Sequence, residues 1–302
     1  MHLNWWWLDR RVYEYFATNI GPLFGWRDPI LVYQMGKVGS STVRNSLFRC
    51  SDPTTRVVLA SHEFFPPRER QISRISIEPE YEDAVLAESE SDRKLYNELP
   101  FRARVGWRFR ESFYTKKIYR NYVKRGHVRV ITLVREPVAT NISMFFQLLE
   151  YYLKTRGAGE QPDIAALRDL FLSEYNHFRP VIWFDAELKT TLGIDVYEHA
   201  FRMEEGYMCI STGKVDLIVI KSEIEDDNKS RIIAEFLGIK ELQLVRSNIA
   251  EDKRHAGTYR KFKESIKIPQ SLLDRIYESR YARHFYSPQE IEAFRMRWSA
   301  ER

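Results

Sequence analysis

The sequence predicts an α/β protein of three layers, with a central parallel sheet between helices and a helical C-terminal extension. Two observations support this fold class. Several short segments are rich in β-branched residues and almost continuously apolar, which is typical of strands covered on both faces. Segments with helical periodicity lie between them, and an alternation of strands and helices indicates a parallel sheet. We therefore expect residues 1–302 to form a single domain.

The elements follow one another along the chain in that alternating order. The predicted strands are Ile30–Tyr33, Arg56–Ser61, Val128–Val134 and Asp216–Ile220. The predicted helices are Ser41–Arg49, Glu80–Leu99, Ser112–Arg125, Pro137–Lys154 and Asn228–Leu237, with further helix over Gln161–Thr191 that is interrupted near Pro180. The helical C-terminal part covers residues 249–302, where Pro269 and Pro288 mark helix starts. Residues 1–28 form an aromatic N-terminal extension.

The composition is that of a folded protein. Hydrophobic residues make up 44% of the chain and charged residues 29%, which excludes a disordered protein. No apolar run approaches the roughly 20 residues that span a bilayer, and the N-terminus lacks the layout of a secretory signal. Cys50 and Cys209 offer neither a disulfide framework nor a metal-ligand spacing. We therefore expect reduced thiols and a cytoplasmic protein.

The net charge of +5 favours an anionic ligand without identifying it. Nucleic acid is compatible with that charge, but the sequence has no zinc module, basic heptad pattern or ribonucleoprotein motif. A small polyanionic cofactor needs fewer assumptions. We expect Trp5, Trp6 and Trp7 to pack inside the protein, with a membrane-surface or partner contact as the alternative. No pattern indicates the oligomeric state.

The segment that follows the first strand predicts a phosphate cradle. The strand stops at a glycine-rich turn, and hydroxyl residues then open a helix. A helix start binds anions because its unpaired N–H donors and the positive end of the macrodipole converge there. Lys37 adds a mobile positive charge, and the hydroxyl groups add donors. The residues of this cradle are Gly36, Lys37, Val38, Gly39, Ser40, Ser41 and Thr42.

A second anion site follows the strand that ends at Val134. Arg135 comes directly after this strand, and Pro137 then starts a helix on which Ser143 lies about two turns in. An arginine fork together with a hydroxyl makes a good phosphate site. Open α/β sheets bind ligands at the carboxyl ends of their strands, so this site and the cradle should face one crevice.

A third pair of residues reaches the same edge of the sheet. The strand before His62 and Glu63 delivers a histidine and a carboxylate, and either can act as a general base. Alternation along a strand points them to opposite faces, so only one of the two should serve.

At this point the residues resemble the P-loop-type sulfotransferases, which take a sulfuryl group from 3′-phosphoadenosine-5′-phosphosulfate (PAPS). The loop over residues 36–41 looks like their 5′-phosphosulfate loop. An arginine at a strand end with a serine eight positions later resembles their 3′-phosphate site, matched here by Arg135 and Ser143. Residues 217–238 resemble the late strand and helix of the family. Thr42 stands where many members have a tryptophan that stacks on adenine, so the adenine platform is not identified.

Within this superfamily, the closest resemblance is to bacterial proteins described as capsular polysaccharide synthesis proteins. It covers most of the chain from about Pro29 onward and rests on Trp183–Asp185, Glu187, Lys189, Gly193–Tyr197 and His284–Ser287. The resemblance implies a P-loop NTPase-like sulfotransferase fold and a carbohydrate acceptor. PAPS would be the donor, and adenosine 3′,5′-bisphosphate (PAP) would be the product.

The resemblance also implies a role for each candidate residue. Lys37 stabilises charge on the bridging oxygen of the leaving phosphate, and the cradle holds the 5′-phosphate. Arg135 and Ser143 hold the 3′-phosphate. His62 takes the acceptor proton, with Glu63 as the alternative base. No metal is required, because the lysine and the helix start supply positive charge.

Two other classes of protein remain open. A nucleotide-dependent kinase has its lysine after the second loop glycine, whereas Lys37 precedes Gly39, and no predicted strand ends in an aspartate for magnesium. The other class is a glycan- or nucleotide-binding protein of the same fold without catalysis. The combination of Lys37 with His62 argues against that second class.

Overall fold

The computed structural model describes residues 10–19, 21, 28–62, 81, 115–149, 153, 163–245 and 256–299. The predicted helix Glu80–Leu99 lies outside these residues apart from Tyr81, as do Glu63 and the tryptophans of the N-terminal extension. In the part of the chain that is described, no helix is both long enough and apolar enough to cross a bilayer.

The described strands form one sheet in the spatial order β2-β1-β3-β5-β4. They are β1 (Ile30–Tyr33), β2 (Val58–Ser61), β3 (Val128–Val134), β4 (Tyr207–Ser211) and β5 (Val215–Lys221). The strands β1, β2, β3 and β5 pair in parallel, as predicted. The sheet is not parallel throughout, however, because β4 was not predicted and pairs antiparallel with β5 at the edge.

Helices occupy the connections between strands and the C-terminal part. They are α1 (Arg10–Asn19), α2 (Ser40–Arg49), α3 (Lys116–Ile118, continued as a π-helix over Tyr119–Val123), α4 (Pro137–Gln147), α5 (Ile164–Glu174), α6 (Arg179–Trp183, continued as a π-helix over Phe184–Lys189), α7 (Thr190–Leu192), α8 (Asp226–Leu237), α9 (Ala256–Ser265), α10 (Gln270–Tyr277), α11 (Arg280–Phe285) and α12 (Pro288–Trp298). The predicted break near Pro180 is the gap between α5 and α6, and Pro180 itself lies in the first turn of α6.

Helices lie on both faces of the sheet, an arrangement compatible with the three predicted layers. The Arg129 guanidinium on β3 donates to the last carbonyl of α8, that of Leu237, at 3.1 Å. Tyr33 on β1 faces the opposite side of the sheet, because Ile30, three residues earlier, pairs with Arg129 and side chains alternate along a strand. Its hydroxyl donates to Glu187 in the π-helical continuation of α6 at 2.8 Å. The strand residues between these layers are almost all buried, as the continuous apolar runs predict.

A second buried cluster lies between helices away from the sheet. It is formed by the apolar sides of α4, α5, α9, α10 and α12, and aromatic rings dominate it. Phe145 contacts the rings of Phe171, Tyr175 and Phe262 at centroid distances of 5.2, 6.1 and 5.9 Å. This packing joins the C-terminal helices to α4.

The strand order fixes where a ligand crevice should lie. From β1 the chain passes to β2 on one side and then to β3 on the other side, so the order reverses between β1 and β3. In open α/β sheets, ligands bind at the carboxyl ends of the strands beside such a reversal. The loop after β1 and the segment after β3 are the two walls of that crevice.

Candidate anion-binding site

The loop between β1 and α2 has the backbone geometry of an anion cradle. Lys37 has a φ of 70° and Gly39 a φ of 101°, so left-handed residues stand at alternate positions before α2 begins. Such alternation turns successive N–H groups toward one concavity, which favours an anion. Among the described residues, the Gly39 amide donates no hydrogen bond. Its N–H group therefore remains available to a ligand.

Two side chains from neighbouring strand ends hold the carbonyls of this loop. Arg135, directly after β3, donates from Nη1 to the Lys37 carbonyl at 2.7 Å. Ser222, directly after β5, donates from Oγ to the Val38 carbonyl at 3.0 Å. The two predicted anion sites are thus in direct contact, with Arg135 as the link between them.

Gln34 lies between β1 and the loop, and its side chain has no partner. The residue is completely buried, yet neither Oε1 nor Nε2 has a hydrogen-bond partner among the described residues. Leaving a buried polar group unpaired costs about 1–3 kcal/mol, so each such group needs an explanation. A buried amide without partners immediately before an anion cradle is an independent indication of a ligand at this place.

The structure brings His62 to the same edge of the sheet. Its Nδ1 lies 2.8 Å from the Gln34 carbonyl, which can only accept, so Nδ1 carries the proton in this bond. The neutral ring then presents Nε2 as a proton acceptor. The indole of Trp183 donates to the His62 carbonyl at 3.1 Å and holds the main chain. His62 is exposed, so solvent and substrates can reach it.

The remaining predicted residues are only partly located. Ser143 is half-buried on α4, and its hydroxyl bonds to no described residue, Arg135 included. The neighbouring Met144 packs on the cradle so closely that a Cβ on Gly36 would overlap its Cε. This contact places the start of the loop against the helix that carries Ser143.

Two glutamates and two tyrosines surround the main chain of Arg135. The Tyr281 hydroxyl donates to the Arg135 carbonyl at 2.9 Å, and Tyr277 donates to Glu136 at 2.6 Å. Glu136 caps α4 by accepting from the amides of its first turn, and its own N–H donates to Glu223 at 2.7 Å. Desolvation raises the pKa of Glu136 and of Glu223, while hydrogen bonds and Arg135 oppose that rise.

Trp183 and Tyr197, two aromatic residues that carry the resemblance to capsular polysaccharide synthesis proteins, pack internally. Trp183 is 3% exposed and contacts the ring of Tyr33 at a centroid distance of 5.1 Å. The ring of Tyr197 is covered by the Arg280 guanidinium at 4.1 Å. Asp195 binds Arg280 and also Lys189, the latter at 2.7 Å. These contacts connect the end of α6 and the segment after α7 with α11. The residues that carry this part of the resemblance therefore belong to the structural core.

Gln34, Ser222 and Glu223 were not singled out as site residues by the sequence. The position of each one offered a usable signal, because each follows a strand at the ligand edge of the sheet. Their contacts with the loop and with α4 join residues far apart in the chain, such as Ser222 with Val38. Sequence spacing alone cannot reveal such pairs.

Comparison with known proteins gives one family. Residues 163–287 match the family model described as NKWYS, putative capsular polysaccharide synthesis protein. The match covers α5 through α11, including β4 and β5, and ends just after Phe285. No curated protein and no solved structure matches the chain. The chain is therefore similar to that family over the second half of the sheet and the helices around it.

Proposed function

We propose that this protein is a sulfotransferase that moves a sulfuryl group from PAPS to a hydroxyl of a carbohydrate. The observation that carries the proposal is the contact between Arg135 and the Lys37 carbonyl, at 2.7 Å. It joins an arginine after β3 to a loop whose Gly39 amide has no partner among the described residues, at the strand-order reversal where ligands bind. A donor with a phosphate at each end of its ribose suits two adjoining sites of positive potential.

The binding roles follow from the chemistry of each group. The amides of Gly39 and Ser40, together with the hydroxyl groups of Ser41 and Thr42, hold the 5′-phosphate. Arg135 uses Nη1 on the loop, and its guanidinium has further N–H donors for the 3′-phosphate. Ser143 adds a hydroxyl from α4 on the same side.

The transfer step requires a group for the leaving oxygen and a group for the acceptor proton. The sulfur–oxygen bond to the 5′-phosphate breaks as a bond from sulfur to the acceptor oxygen forms in line with it. Lys37 stabilises the electron pair that stays on the phosphate oxygen. Nε2 of His62 takes the acceptor proton, because the Gln34 carbonyl holds the proton of the ring on Nδ1. Glu63 is the alternative base.

The carbohydrate acceptor is supported by the family match. The matched region carries a description of capsular polysaccharide synthesis, and polysaccharides present many hydroxyl groups to a sulfuryl donor. A synthetic role for this chain therefore agrees with transfer onto a glycan.

Ligand-dependent thermal stability tests the donor assignment. Adenosine 3′,5′-bisphosphate should raise the melting temperature, because a ligand that binds only the folded state stabilises it. ATP with magnesium should give a smaller shift, since it lacks the 3′-phosphate. A larger shift with ATP and magnesium would favour a kinase, and no shift with either would remove the proposal. Transfer of labelled sulfate to a panel of cell-derived glycans would then identify the acceptor.

A further inference from the structure

We propose that Ser222 is a positioning residue that holds the Gly39 amide in the orientation needed to bind an anion. The ligand in question is the one assigned under the proposed function, so the inference rests on that function. Ser222 touches the loop and not the ligand. Its effect on ligand binding acts through the orientation of one peptide of the cradle, the one between Val38 and Gly39.

The orientation follows from the geometry of the peptide between Val38 and Gly39. No peptide bond among the described residues is cis, so the C=O and N–H of this peptide point in opposite directions. The Ser222 hydroxyl donates to the Val38 carbonyl at 3.0 Å, and a carbonyl oxygen can only accept. The Gly39 N–H therefore points away from Ser222, and it bonds to no other described residue.

Ser222 is itself fixed from two directions. Its amide donates to the Val134 carbonyl at the end of β3, at 2.7 Å. Its carbonyl accepts from Lys229 Nζ at 3.0 Å, and Lys229 is a buried residue of α8 that also pairs with Asp226 at 2.8 Å. The hydroxyl is thus presented by a rigid strand end, which suits a group that must hold a loop.

The peptide needs such a restraint because one of its ends is a glycine. Gly39 has a φ of 101°, and glycine reaches negative φ with similar ease, so the peptide can rotate by about 180°. Rotation would turn the Val38 carbonyl toward the anion and remove the Gly39 donor. The Ser222 bond opposes that rotation, and the Arg135 bond holds the preceding carbonyl.

If only a fraction of the molecules hold the loop in the binding orientation, the affinity of every ligand that needs this orientation falls by the same factor. The apparent dissociation constant equals the intrinsic constant divided by the competent fraction. Ser222→Ala should therefore weaken PAP and adenosine 5′-monophosphate by the same factor, roughly tenfold. Adenosine 3′-monophosphate, which places no phosphate in the cradle, should bind unchanged.

The experiment compares the affinities of these three nucleotides by titration calorimetry. Ser222→Thr keeps the hydroxyl and should restore wild-type affinity. Ser265→Ala is the matched control, because it removes a hydroxyl-to-carbonyl bond of 2.8 Å in α9, outside the cradle. Equal affinity of wild type and Ser222→Ala for PAP would overturn the inference and leave the proposed function intact. A loss for adenosine 3′-monophosphate as large as that for PAP would also overturn it.

A second measurement separates the inference from the proposed function. In protein labelled with ¹⁵N-glycine, inorganic sulfate should shift the Gly39 amide resonance, and Ser222→Ala should raise the sulfate concentration at half-maximal shift about tenfold. If wild type binds no PAP but this pattern holds, the positioning role stands and the sulfotransferase proposal fails. If sulfate shifts the Gly39 resonance equally in both proteins, Ser222 does not position the amide.

Discussion

His62 and His177 make the same kind of bond in two different regions of the molecule. His62 Nδ1 lies 2.8 Å from the Gln34 carbonyl at the ligand edge of the sheet. His177 Nε2 lies 2.9 Å from the Phe171 carbonyl at the end of α5. His62 is exposed, whereas His177 is 6% exposed and contacts the rings of Phe171 and Tyr175. A carbonyl bond fixes the ring in both cases, and access to solvent distinguishes their roles.

The difference separates the exposed histidine that we propose as the general base from a histidine that packs in the interior. Burial lowers the pKa of His177 to about 4, so this ring stays neutral and serves the packing between α5 and α6. His62 keeps a face open to the crevice while its ring orientation is held. The burial of His177 among aromatic rings gives it a packing role.

The largest expected effect concerns His62, the exposed histidine of the comparison. We expect His62→Ala to lower the rate of sulfate transfer by about 10²–10⁴-fold, the usual cost of losing a general base. Binding of PAP and the melting temperature should change little, because His62 is exposed and its ring donates to a main-chain carbonyl, that of Gln34, at 2.8 Å. Transfer of labelled sulfate measures the rate.

The control for this variant is His127→Ala. His127 lies before β3, at the opposite end of the sheet, where Nε2 pairs with Asp216 at 2.9 Å. It should keep wild-type turnover. A His62→Ala enzyme with normal turnover would transfer the base role to Glu63.

The second-largest expected effect concerns His177, the buried histidine of the comparison, and the free energy of unfolding. The pKa of His177 is lowered from 6.5 to about 4 in the folded state, so the unfolded chain binds its proton at a higher pH. Its contribution to the free energy of unfolding is complete above pH 6.5 and is lost as the pH falls toward 4. The loss should be about 3 kcal/mol over that range.

Urea unfolding of wild type and His177→Gln at several pH values measures this effect. The glutamine keeps an N–H donor for the Phe171 carbonyl but does not titrate, so the variant should lack that part of the pH dependence. Parallel curves for the two proteins would show that another group carries the acid sensitivity. Turnover per folded molecule at pH 7 should be the same in both.

The smallest expected effect concerns Arg135, which has a structural contact and a proposed binding role. It supports the loop through the Lys37 carbonyl, and it has further donors for a phosphate. We expect Arg135→Ala to weaken PAP about 10- to 100-fold, because it removes a charge-assisted contact. Titration with PAP and adenosine 5′-monophosphate measures the change, and the loss should be greater for PAP. Unaltered affinity for PAP would contradict the 3′-phosphate assignment.

Much of the sheet was predictable because its strands are buried on both faces. The bounds of β1 and β3 are those that the apolar runs predict. β2 begins two residues later than predicted, since Asp52 caps a 3₁₀ turn over Pro53–Arg56. β4 was missed because only alternate residues of this edge strand are buried, which leaves no continuous apolar run.

The site was predictable in its backbone but not in its supports. Strand ends meet at one edge of a parallel sheet, so the neighbourhood of Arg135 and Lys37 follows from the order of elements. The bond from Ser222 to the Val38 carbonyl spans 184 residues and depends on the packing of α8 beneath the turn. No local pattern in the sequence predicts a contact between residues so far apart in the chain. No local pattern predicts the unpaired side-chain amide of Gln34 either.

The contact between Gly36 and Met144 has a consequence for how this crevice could change. Because the methionine methyl fills the space that a side chain at position 36 would need, an alanine there would force the end of the Met144 side chain to move. The same methyl group covers the start of the loop from the side of α4. A redesign of the loop at this position would therefore have to begin with the rotamer of Met144.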